Sequence, residues 1–189
     1  MYSWILAASL LPGNGFFMFP IFLGGTLLRK RRYYYEAMLL LVWTIAYNPW
    51  LKSIWKIPLP PTVKSNTWAF PSGHMHVAMA FFGYLAWNIK SPVVRGLILF
   101  LTIFQGWGLV VNGFHYPIDV MGAIGFGALT IVLWQYAAGK LPRPQLYTIL
   151  ASLALLTLAL KNPAHDREDF FAAFFLRTIN SFCLFNKGI

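Results

Sequence analysis

Two short polar stretches interrupt an otherwise apolar chain, and both carry groups that receive anions or move protons. The first is Pro71-Ser72-Gly73-His74, inside "FPSGHMH" at 70–76. If it opens a helix, the first N–H groups there lack internal partners and the helix dipole is positive. Gly73 lets a ligand approach the backbone closely. Such an opening suits a phosphate, and His74 beside it can give or take a proton. The second stretch is "NGFHYPID" at 112–119, where Asp119 follows His115 by four residues. Pro117 predicts a turn entering a helix, so the two side chains could meet across one turn. A carboxylate that holds the imidazole Nδ1–H fixes the tautomer and leaves Nε2 as nucleophile or base.

Blander readings exist for each piece. "PSGH" alone reads equally as a helix cap with an incidental histidine. "HxxxD" alone reads as a capped helix start or as two metal ligands. His74, His76, His115 and Asp119 could together hold a metal ion, but no cysteine or further carboxylate completes the set, so neither a metal nor any other cofactor is expected. His76 reads as structural and His165 as a solvated tail residue. The aromatic and Met residues read as lipid-facing or packing groups.

The elements that must position these groups follow from composition. Of 189 residues 58% are hydrophobic and 11% charged, against about 25% charged in a soluble domain. Charge-free runs recur at 1–28, 37–51, 96–118, 120–139 and 144–160, and a bilayer span needs about 20 mostly apolar residues. Water-facing stripes are missing from most of them, which argues against a soluble helical domain. The fold class expected is all-α: a polytopic membrane helix bundle of about six transmembrane helices. Residues 2–11 read as an interfacial helix ahead of the "PGNG" break. Helices follow over 16–28, from the Tyr33–Tyr35 cluster to Leu51, then 72–89, 94–111, 118–138 and 145–160. With no repeat or long linker, residues 1–189 form one domain, with its core at 16–138 and a C-terminal helix and tail at 145–189. An ionisable group at the mouth of a membrane helix is a functional hypothesis by default. Asp119 is the one acidic residue between Ala37 and His165.

The net charge of +10 would point to nucleic acid in a soluble protein, but its distribution points to a bilayer instead. "RKRR" at 29–32, Lys90 with Arg95, and Lys140 with Arg143 all fall on one side of the expected topology, as the positive-inside bias requires. Both histidine-bearing breaks fall on the other side. The partners expected are therefore the bilayer and a substrate held at its surface, with no nucleic acid. The tail "HDREDFFAAFFLRTINSF" reads as an amphipathic interfacial or bundle-packed helix. Cys183 is alone, so no intramolecular disulfide is expected. The N-terminus lacks the basic flank of a cleaved signal peptide. The short chain suggests a bacterial inner-membrane protein with its site facing the periplasm or exterior.

The combination resembles the type 2 phosphatidic acid phosphatase family, which shares its fold with vanadium haloperoxidases. That pattern has three pieces: a Lys followed after six residues by Arg-Pro, then Pro-Ser-Gly-His, then Ser-Arg, five residues, His, three residues and Asp. Here the second is intact at Pro71–His74, the third keeps His115 and Asp119, and the first keeps Lys52 and Pro60. Leu59 and Gly108-Leu109 stand where the family has Arg and Ser-Arg.

The resemblance implies an acid phosphatase/haloperoxidase-like bundle and metal-independent phosphoryl transfer from a lipid phosphate or pyrophosphate. His115 would form a phosphohistidine, with Asp119 stabilising its charge and His74 serving as acid and then base. Lys52 and the Ser72 and Gly73 amides would hold the phosphoryl oxygens. An arginine clamp is worth roughly 10³–10⁵ in rate, so the two missing arginines need a substitute; Lys56 and Lys64 share the outer loop and could supply point charges. Two alternatives remain: a lipid phosphotransferase of the same superfamily, or a degenerate member that binds lipid.

Overall fold

The computed structural model describes residues 8–13, 15–27, 31–63 and 67–140. Among these the elements are helical, and the β contact is an isolated bridge between Pro58 and Trp68. The expected sixth helix, the tail with His165 and Cys183, and Lys64 lie outside the described residues.

A 3₁₀ turn, Leu11–Gly13, precedes α1 (Gly15–Leu27). At about 1.5 Å per residue, α1 is shorter than the roughly 30 Å core of a bilayer. Helix α2 (Arg31–Trp55) runs one turn beyond the expected end at Leu51 and so carries Lys52 in its last turn. A cation there is favoured by the helix dipole. Lys56 then takes the left-handed conformation, φ 49°, and its N–H donates to the Lys52 carbonyl at 3.0 Å. That closes the helix before Pro58.

Helix α3 is continuous but composite: α-helical Gly73–Ala78, a π-helical turn Met79–Gly83, and α-helical Tyr84–Asn88. The apolar pattern gave no sign of the π turn. It places Met79 so close to Gly127 that a Cβ there would lie 2.6 Å from the Met79 Cγ. Helix α4 (Pro92–Val111) starts with Ser91 as its cap and Pro92 in the first turn. Helix α5 (Pro117–Lys140) follows after the turn at 112–116.

Helix α3 is packed against α2, α4 and α5. One apolar core, including Leu40, Leu41, Phe81, Phe82, Leu85 and Trp134, fills the end of the bundle away from the histidines. A smaller one of Met75, Leu109, Val120 and Ala123 underlies them. Helices α4 and α5 are long and apolar enough to cross a bilayer. Each also leaves large apolar side chains exposed, among them Leu97, Phe100 and Ile103 on α4 and Met121, Leu129 and Leu133 on α5. A helix buried in a soluble core would cover these faces.

Candidate active site

The site is assembled where α3 and α5 begin. The Ser72 N–H donates to the Asp119 carbonyl at 3.1 Å, so the "PSGH" turn and the "HxxxD" turn are bonded directly. The His115 Nδ1 and Asp119 Oδ2 lie 3.3 Å apart, and both residues are buried. The same Oδ2 accepts the Tyr116 N–H at 2.8 Å. Asp119 thus caps α5 from its third position, in the manner of a capping box, and also orients His115. The pair is thus a capped helix start in which the capping carboxylate also meets the imidazole.

The His115 pKa is lowered from the ordinary imidazole value, first by burial. The hydrogen bond to Asp119 pulls it up, and the nearby Lys52 charge pushes it down. A neutral imidazole held through Nδ1 presents Nε2 as the reactive atom.

Lys52 is buried on the last turn of α2, and its Nζ donates to the Trp68 carbonyl at 2.6 Å. The Ala69 N–H donates to the Ile57 carbonyl at 2.7 Å, which ties down the loop between α2 and α3. Ser72 is the residue before α3, extended at φ −61° and ψ 119°, and its hydroxyl does not cap the helix. The Ser72 Oγ is buried and makes no hydrogen bond among the described residues. A buried hydroxyl left unpaired costs about 1–3 kcal/mol, so this one calls for a partner such as water or an ion. Gly73 is buried in the first turn of α3, and His74 is exposed beside it. Lys56 is exposed.

The two α4 positions that depart from the resembled pattern are filled by packing. A Cβ on Gly108 would lie 1.9 Å from the Ser9 Oγ, and Ser9 is buried. Leu109 belongs to the apolar cluster under the site, with Leu10 against it. Leu109 still serves the site through its backbone, because its carbonyl accepts the His115 N–H at 3.2 Å.

His76 is structural, as expected, but richly bonded: its Nδ1 lies 2.9 Å from Asn48 Oδ1 and its Nε2 lies 3.1 Å from the Tyr47 hydroxyl. Tyr47 in turn meets Thr130 at 3.1 Å. This network ties α2, α3 and α5 together below the site. Sequence reasoning missed Asn48 and Tyr47, and it missed Gln105, whose side chain reaches the His74 backbone. Polar residues inside apolar runs were the available signal. Among the described residues no three His, Cys, Asp or Glu side chains gather closely enough to hold a metal ion.

A family model described as the PAP2 superfamily matches residues 39–143, more than half of the chain. The match spans Lys52, Pro71–His74, His115 and Asp119. Neither a curated protein nor a solved structure matches the chain significantly.

Proposed function

The chain belongs to the PAP2 superfamily, whose members are generally phosphatases, and from that premise we propose that it is a metal-independent phosphatase of membrane lipid phosphates or pyrophosphates. The observation that carries the proposal is the double role of Asp119, whose side chain holds His115 while its carbonyl holds Ser72.

In this reading the Nε2 of His115 attacks phosphorus and the bond from phosphorus to the leaving oxygen breaks. His74 gives that oxygen its proton. The imidazolium of the phosphohistidine is stabilised by Asp119, which accepts the Nδ1–H. His74, now neutral, takes a proton from water as the water oxygen attacks phosphorus, and the N–P bond breaks to release phosphate. Lys52, the Ser72 hydroxyl and the Gly73 amide stabilise the phosphoryl oxygens; the Ser72 amide, expected to join them, is instead spent on the Asp119 carbonyl. Lys56, exposed on the loop after α2, adds positive charge.

A lipid substrate is supported by the exposed apolar faces of α4 and α5, which suit a protein embedded in a bilayer. The charge bias of the loops supports a site on the non-cytosolic side of the membrane, which in this reading is a bacterial inner membrane.

One observation favours a second reading. Leu109 and Gly108 are locked into packing, so no arginine from α4 reaches the phosphoryl group. A phosphotransferase that passes the group to an alcohol fits a less charged site.

Phosphate release by the purified protein in detergent with chelator tests the proposal. The panel is phosphatidic acid, diacylglycerol pyrophosphate, phosphatidylglycerol phosphate and a polyprenyl pyrophosphate. Release from at least one, with a trapped phosphohistidine that His115→Ala lacks, is expected. Transfer to an added alcohol with little free phosphate would favour the second reading. No turnover and no trapped intermediate would leave a lipid-binding protein.

A further inference from the structure

The last turns of α4 hold the main chains of both histidines. The Leu109 carbonyl accepts the N–H groups of Phe114 at 3.0 Å and His115 at 3.2 Å. One turn earlier, the Gln105 Nε2 donates to the His74 carbonyl at 3.1 Å. Gln105 is buried, and its Oε1 makes no hydrogen bond among the described residues. The carboxamide is also backed from the other side. A Cβ on Gly13 would lie 1.9 Å from its Nε2 and 2.9 Å from its Cδ. That close approach is open to glycine alone.

We propose that Gln105 is a positioning residue for the reaction: backed by Gly13, it fixes His74 at a set distance from His115. This inference rests on the phosphatase reading above. Four residues of α4 separate the two anchor points, about 6 Å along a rigid helix axis. One helix thereby sets the spacing between the nucleophile and the acid. Proton transfer to a leaving oxygen demands hydrogen-bond reach, so slack in the His74 backbone harms that transfer first. The attack by His115 depends on Asp119 and Leu109 and is spared.

The consequence is selective. A leaving alcohol of high pKa needs the proton from His74, whereas a nitrophenolate departs without it. The ratio kcat/KM reads the step that forms the phosphohistidine and is blind to its later hydrolysis.

The experiment compares the full chain on a phosphatidic acid and on p-nitrophenyl phosphate, in wild type, Gln105→Leu and Gly13→Ala. Gln105→Leu should lower kcat/KM on the lipid by about 10–100-fold and on the aryl ester by less than about 3-fold. Gly13→Ala should show the same selectivity. Its new methyl is accommodated by swinging the flexible carboxamide away, which breaks the bond to His74 without altering α4. Gly13→Ala therefore carries the test if Gln105→Leu does not fold. Equal losses on both esters, or no loss on either, would overturn the inference and leave the phosphatase reading standing. A wild type that turns over neither the aryl ester nor any lipid of the panel above would overturn the reading itself, and this inference with it.

Discussion

Asp119 and Ser72 are joined through their backbones, N–H to carbonyl, at 3.1 Å. The bond links the turn that leads into α3 to the first turn of α5. Each turn opens a helix, so the free amides of one helix and the carboxylate of the other end up side by side. The buried Ser72 hydroxyl and the buried His115 imidazole lie on the two turns that this bond joins.

Asp119 has two duties that a substitution can separate. Asp119→Asn keeps an oxygen able to accept the Tyr116 N–H, so the α5 cap survives. It removes the negative charge that stabilises a phosphorylated His115. Phosphate release should fall on the order of 10²–10⁴-fold, while the melting temperature in detergent moves little. Asp119→Ala should lose activity and also about 1 kcal/mol of stability with the cap. Equal melting losses in both variants would contradict the division of roles.

The pH profile follows from the charges around His115. Burial lowers its pKa, the Asp119 bond raises it, and Lys52 lowers it. The attacking imidazole must be neutral, so kcat/KM rises with pH, and its midpoint should lie below the ordinary value of about 6.5. Lys52→Met removes one lowering influence, so the rising limb should shift to higher pH. The same variant should lose about 10²–10³-fold in rate as a phosphoryl contact disappears. Asp119→Asn removes a raising influence and should shift the limb the other way. A Lys52→Met profile unmoved along the pH axis would show that the ammonium does not act on His115.

What the sequence disclosed here was whatever has a local signature. Pro71 to His74, and His115 with Asp119, are polar groups at fixed spacing beside proline or glycine, and they mark helix openings whatever the fold. The five helices between residues 15 and 140 were legible from apolar runs, with ends off by a few residues at Lys52, where propensity says little. The π turn at Met79–Gly83 was not legible, because the apolar run continues through it unchanged and the close approach of Met79 to Gly127 is to another helix. Gln105 and Glu36 were passed over for the same reason: each acts through a partner distant in sequence. Lys56 was expected to supply charge near Lys52, but the helix end between them leaves Lys52 buried and Lys56 exposed.

The missing arginine on α4 should not be restorable. Leu109 is buried among Met75, Val120 and Ala123, and a guanidinium there would be a charge without a partner. Leu109→Arg should cost at least about 3 kcal/mol and should not raise phosphate release. Gly108→Ser should displace Ser9 from its packed position and loosen the N-terminal segment. A well-folded, more active Leu109→Arg would show that this face of α4 opens onto the phosphoryl site after all. Thermal unfolding and kinetics on the same preparation check both points.

The bundle end remote from the histidines has its own buried carboxylate, and its role should be purely structural. Glu36 of α2 accepts from Arg32 at 2.7 Å, from the Trp134 indole of α5 at 3.3 Å, and from the Tyr84 hydroxyl of α3. One side chain thus fastens three helices. Asp119 and Trp134 lie fifteen residues apart on α5, about 22 Å at the helical rise, so the fastening is too distant to touch the reacting groups. Glu36→Gln keeps an acceptor for Tyr84 or Trp134 but loses the charge and turns an amide toward Arg32. Hydrogen bonds to a charged group contribute about 1.5–3 kcal/mol, so a loss in that range is expected as a lowered melting temperature. Arg32 is mostly exposed, and an exposed ion pair contributes about 0–1 kcal/mol, so Arg32→Gln should do much less. Below the melting temperature of either variant, phosphate release per folded molecule should match wild type. A fall in turnover with unchanged melting would instead make Glu36 a participant in the reaction and contradict its assignment as a clamp.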